Sequence, residues 1–147
     1  MKKWIIGIMI VLTIGIVMVK VNTPEATFAH VLPDGLNDST EINEITIYEI
    51  KPSGEPREIV LSDKQNINKL LQASKNMKLK KTDEFTHSGY LLLLSDEDQT
   101  YTITVNDEGI LDMDTHDNHY AIKGENDLLK IINSFDDKWK PVQEEKL

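Results

Sequence analysis

The feature that most constrains this chain is an uncharged apolar run close to its N-terminus. Residues 4–19 read WIIGIMIVLTIGIVMV, contain no proline and follow Met1, Lys2 and Lys3. As an α-helix the run would be ~24 Å long, and ~27 Å when continued to Val21, against a hydrocarbon core of ~30 Å. The sequence therefore predicts a transmembrane helix over residues 1–21, with membrane contact through residues 4–21.

Two fates remain open for this segment. A signal peptide ends at a small-x-small cleavage site soon after its apolar run, but the nearest candidate, residues 27–29, comes well after it and follows Glu25. An uncleaved signal anchor is therefore favoured over a cleaved signal peptide, which would release a secreted protein. Positive charges beside an N-terminal anchor stay in the cytoplasm, so Lys2 and Lys3 predict a cytoplasmic N-terminus and an extracytoplasmic C-terminal domain.

Charge and cysteine content disfavour several classes of function. All 25 acidic residues lie after position 21 but only 13 of the 16 basic residues do, so that part of the chain carries a net charge of −12. This charge would repel a phosphate backbone, and it argues against nucleic acid, anionic wall polymers and anionic lipid headgroups as partners. The absence of cysteine excludes disulfides, thiolate metal ligands, a cysteine nucleophile and the acylated cysteine of a lipoprotein.

After the anchor the chain divides into three parts. Residues 22–43 contain Pro24, Pro33 and turn residues without sustained periodicity, which predicts an extracytoplasmic linker. Residues 44–140 carry regular strand and helix patterns and predict one domain. Residues 141–147 predict a flexible tail.

The domain shows strand and helix patterns in the order β-β-α-β-β-β-β-β-α. Helices are indicated over about 63–75, after a capping box formed by Ser62 and Gln65, and over residues 128–135. The turns between strands are too short for parallel crossovers except around the first helix. We therefore predict an α+β fold: a single small domain with a mostly antiparallel sheet and two helices on one face, preceded by one N-terminal transmembrane helix. The predicted strands are 45–50, 58–61, 77–80, 89–94, 100–105, 110–113 and 119–122.

The organisation of the chain resembles that of small uncharacterised exported proteins of Gram-positive bacteria. The shared features are the Lys2-Lys3 start, the cysteine-free apolar anchor, the proline-containing linker and the acidic α+β domain. The likeness covers the whole organisation and includes no motif that carries chemistry. It implies a location at the cell membrane and no particular activity.

Residues 112–119 form the densest cluster of candidate metal ligands. Asp and His side chains are suitable ligands for a divalent cation. The spacing matches neither a calcium-binding loop nor a helical HExxH motif, and such residues also collect in turns between strands. A plain turn is therefore favoured, with a weak divalent-cation site as the alternative and no other cofactor expected. The candidate ligands are Asp112, Asp114, His116, Asp117 and His119.

The sequence offers little support for catalysis. Ser88 beside His87 is the only adjacent serine–histidine pair, but there is no GxSxG elbow, and adjacent strand residues point to opposite faces. The glycines form no phosphate-binding motif. We therefore expect a membrane-anchored extracytoplasmic binding or accessory module without catalytic activity, whose partner is another membrane or surface protein. The alternative is a small exported metal-assisted hydrolase that uses the 112–119 cluster.

Overall fold

The computed structural model describes residues 25–33, 36, 41–85, 88–114 and 119–142. Within these ranges nine strands form one antiparallel sheet, accompanied by short helices, which confirms the predicted α+β class and antiparallel sheet. The strands are β1 (Ala26–Thr27), β2 (Glu44–Ile50), β3 (Arg57–Leu61), β4 (Lys78–Thr82), β5 (Gly89–Ser95), β6 (Thr100–Val105), β7 (Ile110–Met113), β8 (His119–Lys123) and β9 (Lys140–Pro141). The helices are α1 (Phe28–Val31), α2 (Lys64–Ser74) and α3 (Asp127–Asn133), and Asp136–Lys138 forms a 3₁₀ helix.

The predictions for the two ends of the chain are a transmembrane helix at the N-terminus and a flexible tail at the C-terminus. The predicted transmembrane segment, residues 1–21, lies outside the described residues. Among the helices of the described ranges, none is long and apolar enough to cross a bilayer. The predicted tail begins inside the fold, because Pro141 pairs with Arg57 and the Val142 N–H donates to the Pro56 carbonyl oxygen at 3.0 Å.

The order of the strands across the sheet is β1-β4-β8-β7-β6-β5-β2-β3-β9. Three strands separate β4 from β5, and the four antiparallel steps between them make these two strands run in the same direction. The connection from β4 to β5 is therefore a parallel crossover. The prediction that crossovers occur only around the first helix is wrong, because this connection follows β4 and does not contain that helix. The chain is long enough for this crossover. The seven residue steps from Thr82 to Gly89 can extend ~24 Å, whereas the four strand spacings between β4 and β5 amount to ~19 Å.

One face of the sheet packs against α2 and α3 and forms the core. Ile47, Leu92 and Ile103 lie side by side on this face in β2, β5 and β6 and are at most 2% exposed. Ile67 of α2 and Leu128 of α3 belong to the same buried cluster as these three strand residues. The opposite face is called the outer face below.

Two contacts of the Lys69 side chain join α2 to the residues that follow α3. The Lys69 ammonium donates to the Ser134 hydroxyl at 3.1 Å and lies 5.1 Å from the centre of the Phe135 ring. Because α2 connects β3 to β4 and α3 connects β8 to β9, the two helices bring distant parts of the sheet together.

Helix α2 begins with a different cap from the one that the sequence predicts. Asp63 is the N-cap residue, and its Oδ1 accepts a hydrogen bond from the Asn66 N–H at 2.9 Å. The hydrogen bonds from Asn66 lower the pKa of the Asp63 carboxyl group. The predicted capping box is therefore wrong by one residue, because Ser62 precedes the cap. Asn126 caps α3 in the same way, accepting from the Leu129 N–H at 3.1 Å.

The segment predicted as a linker, residues 22–43, belongs in part to the fold. Ala26–Thr27 pairs with β4, and Phe28, Leu36 and Ile42 are at most 2% exposed in the core. These apolar residues show no sustained periodicity because the described part of the segment is divided among a two-residue strand, a four-residue helix and irregular backbone. The linker prediction is therefore wrong for the described part of the segment, and the folded domain begins by β1 instead of β2.

Candidate functional site

A cleft opens where β2 ends, β5 begins and β6 turns into β7. Its volume is about 400 Å³, which lies within the range of small-ligand pockets. Residues 49–52 line one side, residues 85 and 88–90 line the second, and residues 106–108 line the third. Three separate stretches of sequence therefore build it.

Gly89 allows β5 to start close against the end of β6. Its φ is +121°, and a Cβ at this position would lie 2.2 Å from the Val105 carbonyl oxygen and 2.7 Å from the Asn106 Cα. Only glycine fits both this backbone and this distance. The Asn106 side chain is buried and accepts from the Ile110 N–H at 2.8 Å, which holds the β6–β7 turn. These contacts fix the cleft in place.

Glu49 is a buried carboxylate in the cleft wall. Its side chain is 6% exposed, and its two oxygens lie 2.7 Å from the Lys51 ammonium and from an Arg57 Nη. The Arg57 Nε also donates to Glu49 at 2.8 Å. Burial raises the pKa of Glu49, but the hydrogen bonds from Lys51 and Arg57 outweigh burial, and the net pKa is lowered. Glu49 is therefore an ionised group that two cations hold in place.

Aromatic rings continue this cluster along the core side of the sheet. The Arg57 guanidinium lies 5.2 Å from the centre of the Trp139 ring, and the Tyr90 and Trp139 rings lie 6.0 Å apart. Burial and the negative charges of Glu49 and Asp107 raise the pKa of Tyr90. The Tyr90 hydroxyl therefore remains protonated at neutral pH and can donate a hydrogen bond.

Phe85 is an exposed aromatic residue at the cleft. Its side chain comes from the β4–β5 crossover and is 58% exposed, and its ring centre lies 6.1 Å from that of His119. Among the described residues, Val60 at 44% is the other exposed large apolar residue, and it does not line the cleft. Asp107 and Glu108, which follow β6, are exposed and also line the cleft.

The candidate metal ligands are only partly brought together. Asp112 and His119 lie opposite each other in β7 and β8 on the outer face, with Oδ1 and Nδ1 2.6 Å apart. Asp114 is exposed in the turn after β7, and His116 and Asp117 lie outside the described residues. In the described ranges, no three His, Asp or Glu side chains are placed to hold a metal ion. The cation site stays a prediction.

Sequence reasoning missed most of the cleft. Glu49 and Arg57 lie eight residues apart and face each other across the β2–β3 hairpin. Tyr90 and Trp139 are far from them in sequence, and only the register of β5 and β9 brings them to the same region. One local signal was present, since Gly89 opens an apolar run that ends in Leu94. A glycine at the start of a buried strand often marks a close backbone approach.

The cleft combines a preformed floor, an exposed aromatic residue and two exposed carboxylates. Such a site can hold a ligand through apolar and ionic contacts. Ser88 also lines it, whereas its neighbour His87 lies outside the described residues. Comparison with known proteins finds no family model, curated protein or solved structure that matches this chain.

Proposed function

We propose that this protein is a membrane-anchored extracytoplasmic binding module that holds a segment of another membrane or surface protein in the cleft. Residues 4–21 anchor it, the N-terminus lies in the cytoplasm and the folded domain lies outside the cell. If the signal is cleaved, the same domain is secreted. The module is not catalytic.

The observation that carries this proposal is the position of Phe85 beside the cleft. Complete burial of a fully exposed large apolar side chain is favourable by about 1.5–3 kcal/mol. Phe85 is 58% exposed, so a partner that buries it completely gains a little more than half of this. The close approach of Gly89 to β6 and the Asn106 hydrogen bond hold the neighbouring backbone in place before any ligand arrives. A preformed site loses less conformational entropy on binding, so the apolar contact is retained as affinity.

Charge indicates which kind of segment fits. Lys51 and Arg57 already neutralise Glu49, whereas Asp107 and Glu108 are exposed at the cleft. The part of the chain after position 21 has a net charge of −12, which attracts positively charged partners over long distances. We therefore expect a segment that combines an apolar or aromatic anchor with Lys or Arg.

The state of Glu49 supports binding over acid–base chemistry. A general base needs a pKa near the working pH and an oxygen that is free to take a proton. The lowered pKa of Glu49 and its engaged oxygens provide neither. Glu49 instead holds the Lys51 and Arg57 side chains in place, where β2 ends and β3 begins.

Site-specific photo-crosslinking in native membranes tests this proposal. The photoreactive residue benzoylphenylalanine replaces Phe85 in one variant and Val60 in the matched control. We expect one discrete crosslinked partner from position 85, none from position 60, and loss of the adduct in an Asp107→Lys/Glu108→Lys background. No adduct from position 85, or the same adducts from both positions, would overturn the proposal.

A further inference from the structure

Three lysines lie together on the outer face of the sheet, beside β1. Lys78 of β4 pairs directly with Lys123 of β8, and Lys80 lies two residues further along β4 on the same face. Lys78 and Lys123 are exposed, and Lys80 is half-buried. These three residues are called the lysine patch.

The lysine patch keeps an excess of positive charge. Glu25 lies 3.9 Å from the Lys78 ammonium, with half of its own side chain exposed. Glu125 follows Lys123 by two residues, but its carboxylate pairs with the Lys130 ammonium. Two like charges directly opposite each other destabilise a strand pair. The direct pairing of Lys78 with Lys123 therefore creates a surface suited to an anionic partner.

The lysine patch also lies close to where the chain leaves the predicted anchor. Five residue steps separate Val21 from Ala26 of β1, which is at most ~17 Å of extended chain. β1 is the edge strand next to β4, and β8 follows, so the patch lies within about 10 Å of β1. The anchor therefore keeps this part of the sheet within reach of the lipid headgroups.

We propose that the lysine patch binds anionic lipid headgroups at the outer surface of the membrane that anchors the chain. This inference rests on the anchor in the proposed function. The net charge of −12 argues against such lipids at long range. Screening limits electrostatic interactions to about 8–10 Å at physiological ionic strength, so the local charges decide what happens at contact. Each lysine close to an anionic surface strengthens the association about fivefold.

Edge protection is the competing explanation for these lysines. Only Leu79 and Lys78 of β4 pair with β1, and lysines near a sheet edge prevent pairing with other chains. That role predicts aggregation when the lysines are removed and no dependence on lipid charge. The two explanations therefore differ in what they predict for lipid composition.

Lysine acetylation of the full-length protein in lipid nanodiscs, followed by mass spectrometry, tests the inference. The discs contain phosphatidylcholine alone or with one-third phosphatidylglycerol. We expect Lys78, Lys80 and Lys123 to react about fivefold more slowly in the anionic discs and to recover at high salt. Lys140, exposed in β9 at the opposite edge of the sheet, should react equally in both discs. Equal rates for the lysine patch in both discs would overturn the inference.

Two variants complete the experiment. In Lys78→Thr/Lys123→Thr, the protection of Lys80 in anionic discs should disappear, whereas Lys140→Thr should leave it intact. Threonine suits a strand, and its introduction removes the opposed charges, so folding should be preserved. Aggregation of the double variant, with Lys80 still protected by anionic lipid, would overturn the inference in favour of edge protection. Extraction of the protein from the discs by alkaline buffer would overturn both the anchor and this inference. Retention in the discs, with equal labelling of the lysine patch in both lipid compositions, would overturn only this inference.

Discussion

Replacement of Gly89 by alanine should destabilise the domain strongly and close the floor of the cleft. At φ +121° a non-glycine residue is strained by about 1–3 kcal/mol. The new Cβ would also lie 2.2 Å from the Val105 carbonyl oxygen, and such overpacking adds about 1–3 kcal/mol. The expected loss is therefore about 2–6 kcal/mol, a large part of the stability of a small domain.

Gly54→Ala is the matched control because the φ angles of Gly54 and Gly89 are almost the same. Its φ is +119°, but nothing lies within 4 Å of its added Cβ, so only the backbone strain of about 1–3 kcal/mol applies. Urea unfolding of the full-length protein in detergent micelles, followed by circular dichroism, measures both variants. Equal losses in the two variants would refute the close approach of β5 to β6 at Gly89.

Three further predictions concern the buried ion cluster, the helix cap and the metal hypothesis. Because hydrogen bonds from Lys51 and Arg57 outweigh burial and lower the pKa of Glu49, its ionised form stabilises the fold above its unfolded pKa of about 4.3, and this stability is lost as pH falls through the lowered folded value. Thermal melting should therefore show less acid destabilisation in Glu49→Gln than in the unmodified protein, and an unchanged pH profile would contradict the cluster. Asp63→Ala should lower the urea midpoint more than Ser62→Ala does, because Asp63 caps α2, and the reverse order would restore the predicted capping box. Calcium should leave the melting temperature unchanged, whereas a rise that disappears in Asp114→Ala/His116→Ala would favour the metal-assisted hydrolase.

Local periodicity explains which elements could be predicted. Tyr101, Ile103 and Val105 alternate with threonines, and β6 spans the predicted residues 100–105. Alternation of this kind depends on the pleat of one strand alone. Residues 25–42 could not be predicted in this way, because their described apolar side chains enter the core from a two-residue strand, a four-residue helix and irregular backbone, each too short to show a period.

The strand order explains why the site was harder to predict. The β4–β5 crossover brings Phe85 to the cleft, and nothing in residues 83–88 indicates that three other strands lie between β4 and β5. Asp112 and His119 meet because β7 and β8 form a hairpin, a short-range pairing that a sequence can indicate. Glu49 and Trp139 lie in the same region through long-range register, which a single sequence does not reveal.

Occupancy of the cleft in native membranes tests the central claim most directly. The chain contains no cysteine, so Ser88→Cys in the cleft and Ser62→Cys before α2 each carry one thiol. Maleimide labelling is compared between native membranes and the purified protein in detergent. The proposed binding module predicts several-fold slower labelling of Ser88→Cys in native membranes and equal labelling of Ser62→Cys in both. Equal labelling of Ser88→Cys in the two settings would contradict it.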